Sequence, residues 1–337
     1  MPSHHTVLML TAMLISMITP WVATADTPVE APTASLLVSG LQGATGSTVG
    51  PGGDLYVTEA LAGTISRVDP KTGEKETFAT GLPIRVGRIG GAMDVAFIDK
   101  TAYVLVTLVG PDVGGSSIVG IYRMDGPNKF TVIADIGAFA LQNPPTTPFA
   151  VPTGVQYALE VYRCGFLVTD GHHNRVLHVT LDGEVTEFAT FGNIVPTGLA
   201  VSDKRVYIAQ AGPVPHLPED GKVVAINPKA VAIDPTSRAK DVASGAPLLV
   251  DVEFGRHGQL YALAQGIFEG PRDGFPASPN TGSLVRVNAD GTFTVVLEGL
   301  DRPTSLELIG NTAYVVNLAG EIVKIEHVGT RRFGVPR

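Results

Sequence analysis

One unit recurs about six times along this chain, and it constrains the fold more than any other feature. Each copy has a small-residue turn, an apolar strand, a tight turn, a strand led by an aromatic residue, and a strand ending in Arg-Val or a similar pair. The copies begin near Gly46, Asp94, Gly154, Gly198, Asp251 and Ser305, at spacings of 48, 60, 44, 53 and 54 residues. A period of about 40–50 residues built from short strands predicts a β-propeller, in which each unit is one four-stranded blade packed against its neighbours.

The first copy shows the unit plainly. Gly46-Ser47-Thr48-Val49 begins the inner strand, and Gly50 to Asp54 (GPGGD) supplies the turn. Leu55 to Thr58, Thr64 to Val68 and Glu76 to Ala79 read as the second, third and fourth strands. The aromatic that opens the second strand recurs as Tyr56, Tyr103, Phe166, Tyr207, Tyr261 and Tyr314. Third strands such as Arg175 to Val179 and Lys222 to Ile226 alternate or run apolar, as strands packed on both faces do.

The last copy, Thr304 to Val328, supplies only three strands. Its missing outer strand is expected from the N-terminus, because Ser35 to Leu41 (SLLVSGL) resembles Val295 to Leu300 (VVLEGL), an outer strand with its exit turn. Pairing the two ends closes the ring and leaves no bare strand edge. The expected fold is therefore all-β: six blades of four antiparallel strands, spanning residues 34–328.

The flanks read differently. Val7 to Ile18 is a 12-residue apolar run followed by the small-x-small pattern Ala23-Thr24-Ala25, which predicts a signal peptide over 1–25. The run is shorter than the roughly 20 residues of a membrane span. Residues 26–33 then form a linker, 329–337 a tail, and the mature chain is expected in a periplasm or outside the cell, with no membrane span. A net charge of −8, with no basic stripe, argues against nucleic acid as a partner. The single cysteine, Cys164, allows no intramolecular disulfide, and it is expected to be buried and inert beside the apolar run Phe166-Leu167-Val168.

Antiparallel blades put two kinds of connection on each end of the ring. The long segments Leu108 to Ser117, Ile136 to Pro152, Ala211 to Gly221 and Gly266 to Gly282 all fall on one end, where a rigid scaffold would carry function. At the equivalent inner-strand position, four copies are small and two are Asp94 and Asp251, in opposite blades. These two carboxylates suit either a hard cation such as Ca²⁺ at the axis or a capping role on neighbouring backbone N–H groups. A second set, Glu59, Asp170, Gln210, Gln265 and Asn317, follows the second strands and is expected to rim the axial pocket. Glu59, Asp170 and Asn317 offer further oxygen ligands. The ligand-binding candidates are Gln210, Gln265, His172 of the turn Asp170 to Arg175, His216 of a Pro-rich loop, and Phe268, Glu269, Arg272 and Phe275 of one long loop. No serine-hydrolase elbow, Walker loop, dinucleotide fingerprint or His-Glu-x-x-His is present.

The phrases at Gly40 to Glu59, Gly90 to Leu105, Asp170 to Gly183, Val195 to Val201, Gly282 to Gly291 and Leu300 to Asn317 resemble the exported ScyD/ScyE-type proteins. More loosely the chain is similar to NHL-repeat, TolB-like and gluconolactonase propellers. The first likeness implies an exported six-bladed propeller without an agreed catalytic set. The gluconolactonase likeness implies an axial divalent metal held by Glu, Asn and Asp, for which Glu59, Asp94, Asp170, Asp251 and Asn317 are the residues that stand in. The first copy departs from the family wording, with Ala44 in place of the usual Pro and Ser47 in place of Leu. The leading reading is a non-catalytic binding protein for a small metabolite or partner on the long-loop face. The alternative is a metal-dependent lactonase or esterase, and a third is a purely structural or protein-interaction role.

Overall fold

The structure is a computed structural model and describes residue 1 and residues 30–202, 204–231, 239–272 and 274–329. The described strands form six four-stranded antiparallel sheets arranged as a six-bladed propeller. The inner strands are Ala44–Val49, Gly91–Ile98, Gln156–Tyr162, Pro196–Val201, Leu249–Phe254 and Pro303–Ile309, defining blades one to six. The outermost strand of blade six is Thr33–Val38, which pairs antiparallel with Ile322–Glu326, Ala34 lying opposite Ile325 and Leu36 opposite Val323. The two ends of the fold are thus joined in one sheet, as the sequence repeat requires. The signal segment, apart from residue 1, and the tail, apart from residue 329, lie outside the described residues. Among the described residues no helix is long and apolar enough to cross a membrane.

The core lies between blades rather than within one layer. Leu55–Glu59, Gly165–Asp170 and Leu260–Ala264, all second strands, are buried along their whole length. The aromatic that opens each second strand works across the seam. Tyr56 packs on Phe97 of blade two at 4.5 Å, Tyr103 on Phe166 of blade three at 4.9 Å, and Tyr207 on Phe254 of blade five at 5.3 Å. Such ring pairs add about 0.5–1.5 kcal/mol beyond their buried area, so the recurring aromatic is a blade-to-blade lock.

Every inner strand carries a register shift close to its start. Counting from that shift fixes the ring of equivalent positions as Gly46, Asp94, Ala158, Gly198, Asp251 and Ser305. The sequence repeat placed Gly154 there in blade three, and this is corrected. The phrase Val-Pro-Thr-Gly occurs at 151–154 and again at 195–198. Only the second copy enters its strand; in blade three pairing begins with Gln156 opposite Asp170. The small members of the ring have a steric reason. A Cβ on Gly46 would clash with the Asp94 carboxylate, and one on Gly198 would clash with the backbone of Asp251. Glycine precedes each aspartate blade because the aspartate leans into that space.

Cys164 is exposed, which also corrects the sequence reading. It sits in the tight turn between Gln156–Tyr162 and Gly165–Asp170, and the buried apolar run starts only at Phe166.

Candidate functional site

Hydrogen bonds near the axis tie each blade to the next. Asp94 Oδ2 accepts from the Leu159 N–H of blade three at 2.7 Å, and Oδ1 accepts from Val95 at 2.8 Å. Asp251 repeats the arrangement with Leu306 of blade six at 2.7 Å and Val252 at 2.8 Å. Ser305 does the same with a hydroxyl, accepting from the Ser47 N–H of blade one at 3.1 Å. The remaining seams use threonines. Thr45 Oγ1 donates to Ala92 O, Thr169 Oγ1 to Thr197 O, and Thr197 Oγ1 to Leu249 O. The axial aspartates therefore cap backbone N–H groups across the seams.

Above this ring, on the long-loop face, lies a cavity of about 310 Å³. Its lining is mainly apolar, and it includes six of the sequence-derived candidates: Asp94, Asp251, His172, His216, Gln265 and Phe275. Sequence reasoning missed three others. Tyr157, the residue beside Ala158 in the ring, crosses the axis and donates from its hydroxyl to Thr304 O of the opposite blade at 2.9 Å. It forms the floor. Arg85 and Arg88 come from the blade-one to blade-two connection, residues 80–90, which is not among the loops singled out from the sequence. That connection is pinned by Leu82 N–H to Gly63 O and Arg85 N–H to Ala60 O. It meets the blade-five loop where the Arg88 guanidinium lies 4.4 Å from the centre of the Phe275 ring. Two loops from different blades thus roof the mouth.

The blade-five loop has its own small core. Phe268 is buried with Ala211, Leu248 and Ala277, and His216 meets its ring edge-on at 4.8 Å. Phe268 supports the site without lining it. Gln265 is held at both ends, donating to Pro303 O and accepting from Ala277 N–H. Glu269 accepts from Ser278, and Arg272 faces the Phe275 ring from 6.0 Å.

The other candidates do not rim the cavity. Glu59, Asp170, Gln210 and Asn317 end their second strands with side chains turned away from the cavity and buried. Glu59 accepts from Gln42 N–H and Ser66 Oγ. Asn317 accepts from the N–H groups of Ala319 and Glu321. Asp170 accepts from Gln156 and Arg175 and lies beside His173. His173 is buried while its neighbour His172 faces the cavity, so the adjacent histidines diverge. The five oxygen-bearing residues singled out for an axial cation are not brought together. Asp94 and Asp251 spend their oxygens on backbone N–H groups, and the other three serve their own loops. Among the described residues no three His, Cys, Asp or Glu side chains are grouped to hold a metal ion, so this donor set does not fit one.

Below the ring, towards the short-turn end, Glu160, Glu253 and Glu307 occupy one equivalent position two residues further along three inner strands. Burial pushes Glu160 up to about 8, with the Asp251 charge adding to it. Burial likewise pushes Asp251 up to about 7, against the backbone hydrogen bonds that favour its charged form. Asp94, Glu253 and Glu307 are raised well above their ordinary values, first by burial; backbone hydrogen bonds oppose the rise, and the charges of Asp251 and Glu160 add to it at all three. These raised values mean that the folded protein holds protons which the unfolded chain has released. The stabilisation is full below the unfolded carboxylate range and is lost as pH rises through about 7–8. Melting temperature is expected to be higher at pH 5.5 than at pH 8.5. Glu160→Gln is expected to shrink that difference, as read by thermal unfolding across the pH range.

No protein-family model matches this chain, and no curated protein sequence does. Solved structures match its fold. A gluconolactonase from Xanthomonas campestris superposes with a TM-score of 0.59 at 11% identity, covering 87% of this chain and 89% of that one. A PQQ-bound aldose sugar dehydrogenase from Streptomyces coelicolor gives 0.55 at 18% identity, covering 89% and 99%. A virginiamycin B lyase from Staphylococcus aureus gives 0.51 at 14% identity, covering 88% and 98%. At these identities the likeness is one of fold: a six-bladed propeller whose neighbours have different activities.

Proposed function

We propose that this protein is an exported propeller of the ScyD/ScyE type that binds a small organic ligand in its axial cavity and does not transform it. The observation that carries this reading is a roofed, mainly apolar cavity whose polar residues are largely committed to the scaffold. The Asp94 and Asp251 oxygens, the Thr45 and Thr197 hydroxyls and both ends of Gln265 hold blades or loops together. Such a lining supports retention of a ligand better than attack on one. Export rests on the N-terminal sequence alone.

The test is thermal unfolding of the purified protein against a library of small metabolites. A saturating ligand is expected to raise the melting temperature by about 5 °C. Leu318→Trp, which fills the cavity from its wall, should remove the shift, and mass spectrometry should recover the ligand unchanged. Consumption of the ligand would overturn the non-catalytic reading.

The second reading, a divalent-metal lactonase, draws on the fold likeness to gluconolactonase and on the two carboxylates facing the cavity. It requires lactone hydrolysis that a chelator stops and that Asp94→Asn or Asp251→Asn abolishes.

A further inference from the structure

Two guanidinium groups line the axial cavity without a carboxylate to neutralise them. Among the described residues neither Arg85 nor Arg88 forms an ion pair. Arg67, Arg123, Arg175 and Arg302 are paired with Asp54, Asp125, Asp170 and Asp301, whereas Arg163, Arg205, Arg256 and Arg272 also lack an ion pair among the described residues but do not line the cavity. Arg88 is also held in place, because its guanidinium stacks 4.4 Å from the centre of the Phe275 ring. Stacking leaves the in-plane N–H donors of a guanidinium available to an anion.

The acids of the same cavity are in the opposite condition. Each oxygen of Asp94 and Asp251 already accepts a backbone N–H. Burial also favours their neutral forms. The floor therefore has little demand for a cation, while the mouth has two unmatched positive charges. Between them the walls are apolar, with Met93, Val195, Leu248, Val250 and Leu318 among them. A sugar would place hydroxyls against these walls and against threonines whose donors are spent on the seams, leaving polar groups unsatisfied. A second charge deeper in the ligand would be buried against these apolar walls, where no further Arg or Lys lines the cavity.

Resting on the binding reading above, we infer that the ligand is an organic monoanion, a carboxylate or sulfonate on a compact apolar body. The head group pairs with Arg85 and Arg88 at the mouth. The body fills the apolar space above Tyr157.

Two fluorescent probes with the same apolar body test this: 8-anilinonaphthalene-1-sulfonate, which carries the anion, and N-phenyl-1-naphthylamine, which lacks it. The intact protein is expected to bind the sulfonate at least about tenfold more tightly, as a charge-assisted hydrogen-bond pair implies. Arg85→Gln with Arg88→Gln should bring the sulfonate down to the level of the neutral probe, with circular dichroism showing that the variant is folded. Leu318→Trp should weaken both. Equal binding of the two probes, with both lost in Leu318→Trp, would overturn the monoanion inference while leaving the cavity as a binding site. Sulfonate preference that survives the double arginine change would also overturn it. No binding of either probe, or binding undiminished in Leu318→Trp, would overturn the cavity reading and this inference together.

Discussion

Deletion of residues 31–41 is expected to abolish cooperative folding rather than to weaken it. The segment supplies the fourth strand of blade six and joins the two ends of the ring. Val38 and Leu41 are buried in one cluster with Leu55, Val57, Tyr314 and Ile322. Burial of two such side chains contributes about 1.5–3 kcal/mol each. The ladder to Ile322–Glu326 adds backbone hydrogen bonds worth about 0.5–1.5 kcal/mol each net. The sum is comparable to the whole stability of an ordinary domain, about 5–15 kcal/mol. Urea unfolding followed by circular dichroism should show no sharp transition in the truncated protein. A synthetic peptide spanning 31–41, added in trans, should restore part of it. A truncated protein that unfolds cooperatively near the original midpoint would show that the closing strand is dispensable.

The second large effect is expected at Asp170→Ala. Asp170 and Arg175 are both buried, and Asp170 Oδ2 accepts from Arg175 Nε at 2.8 Å and lies 3.0 Å from His173 Nδ1. Arg175 also donates to Asn143 O and to Glu187, and its guanidinium lies 5.3 Å from the Phe139 ring centre. Asn143 and Val151, which accepts from His173, belong to the loop that follows the short helix Ile136–Gln142, so this network holds the loop down. Removing the carboxylate leaves a buried guanidinium short of its partner, a loss of about 3–5 kcal/mol. Exchange of amides in residues 143–151 should accelerate by hydrogen-exchange mass spectrometry. Replacing the pair together, with Asp170→Leu and Arg175→Met, should be milder than the single change, since it leaves no orphaned charge. If Asp170→Ala unfolds at the parent urea concentration, the network contributes nothing to stability.

The architecture could be read from the sequence because the blade pattern is local. Alternating apolar strands, Gly-rich turns and an aromatic at one fixed offset each report on a few adjacent residues, and Ser35 to Leu41 carries its outer-strand pattern wherever it pairs. The site could be read only in part. Asp94 and Asp251 stood out because a carboxylate is anomalous among small residues. Tyr157 was hidden by the duplicated Val-Pro-Thr-Gly, which shifts an alignment of blade three by four residues although the hydrogen-bond ladder does not follow it. Arg85 and Arg88 lie in a connection with no sequence mark of its own, and the meeting of Arg88 with Phe275 depends on how two distant loops lean over the axis. Glu59 and Asp170 look like ligands in one dimension. Whether such a side chain turns to the axis or into its own loop is decided by partners such as Ser66 and Arg175, which the repeat does not mark.

Tyr157 has a bearing on traffic through the molecule. Its ring spans from blade three to a carbonyl of blade six, so the hole down the middle of the propeller is a well and not a tunnel. A solute that comes in past Arg88 and Phe275 must leave by the same mouth. Release and capture then share one gate, and a tight-fitting occupant blocks its own replacement. Glu160, Glu253 and Glu307 lie on the other side of the Tyr157 ring, buried away from the mouth.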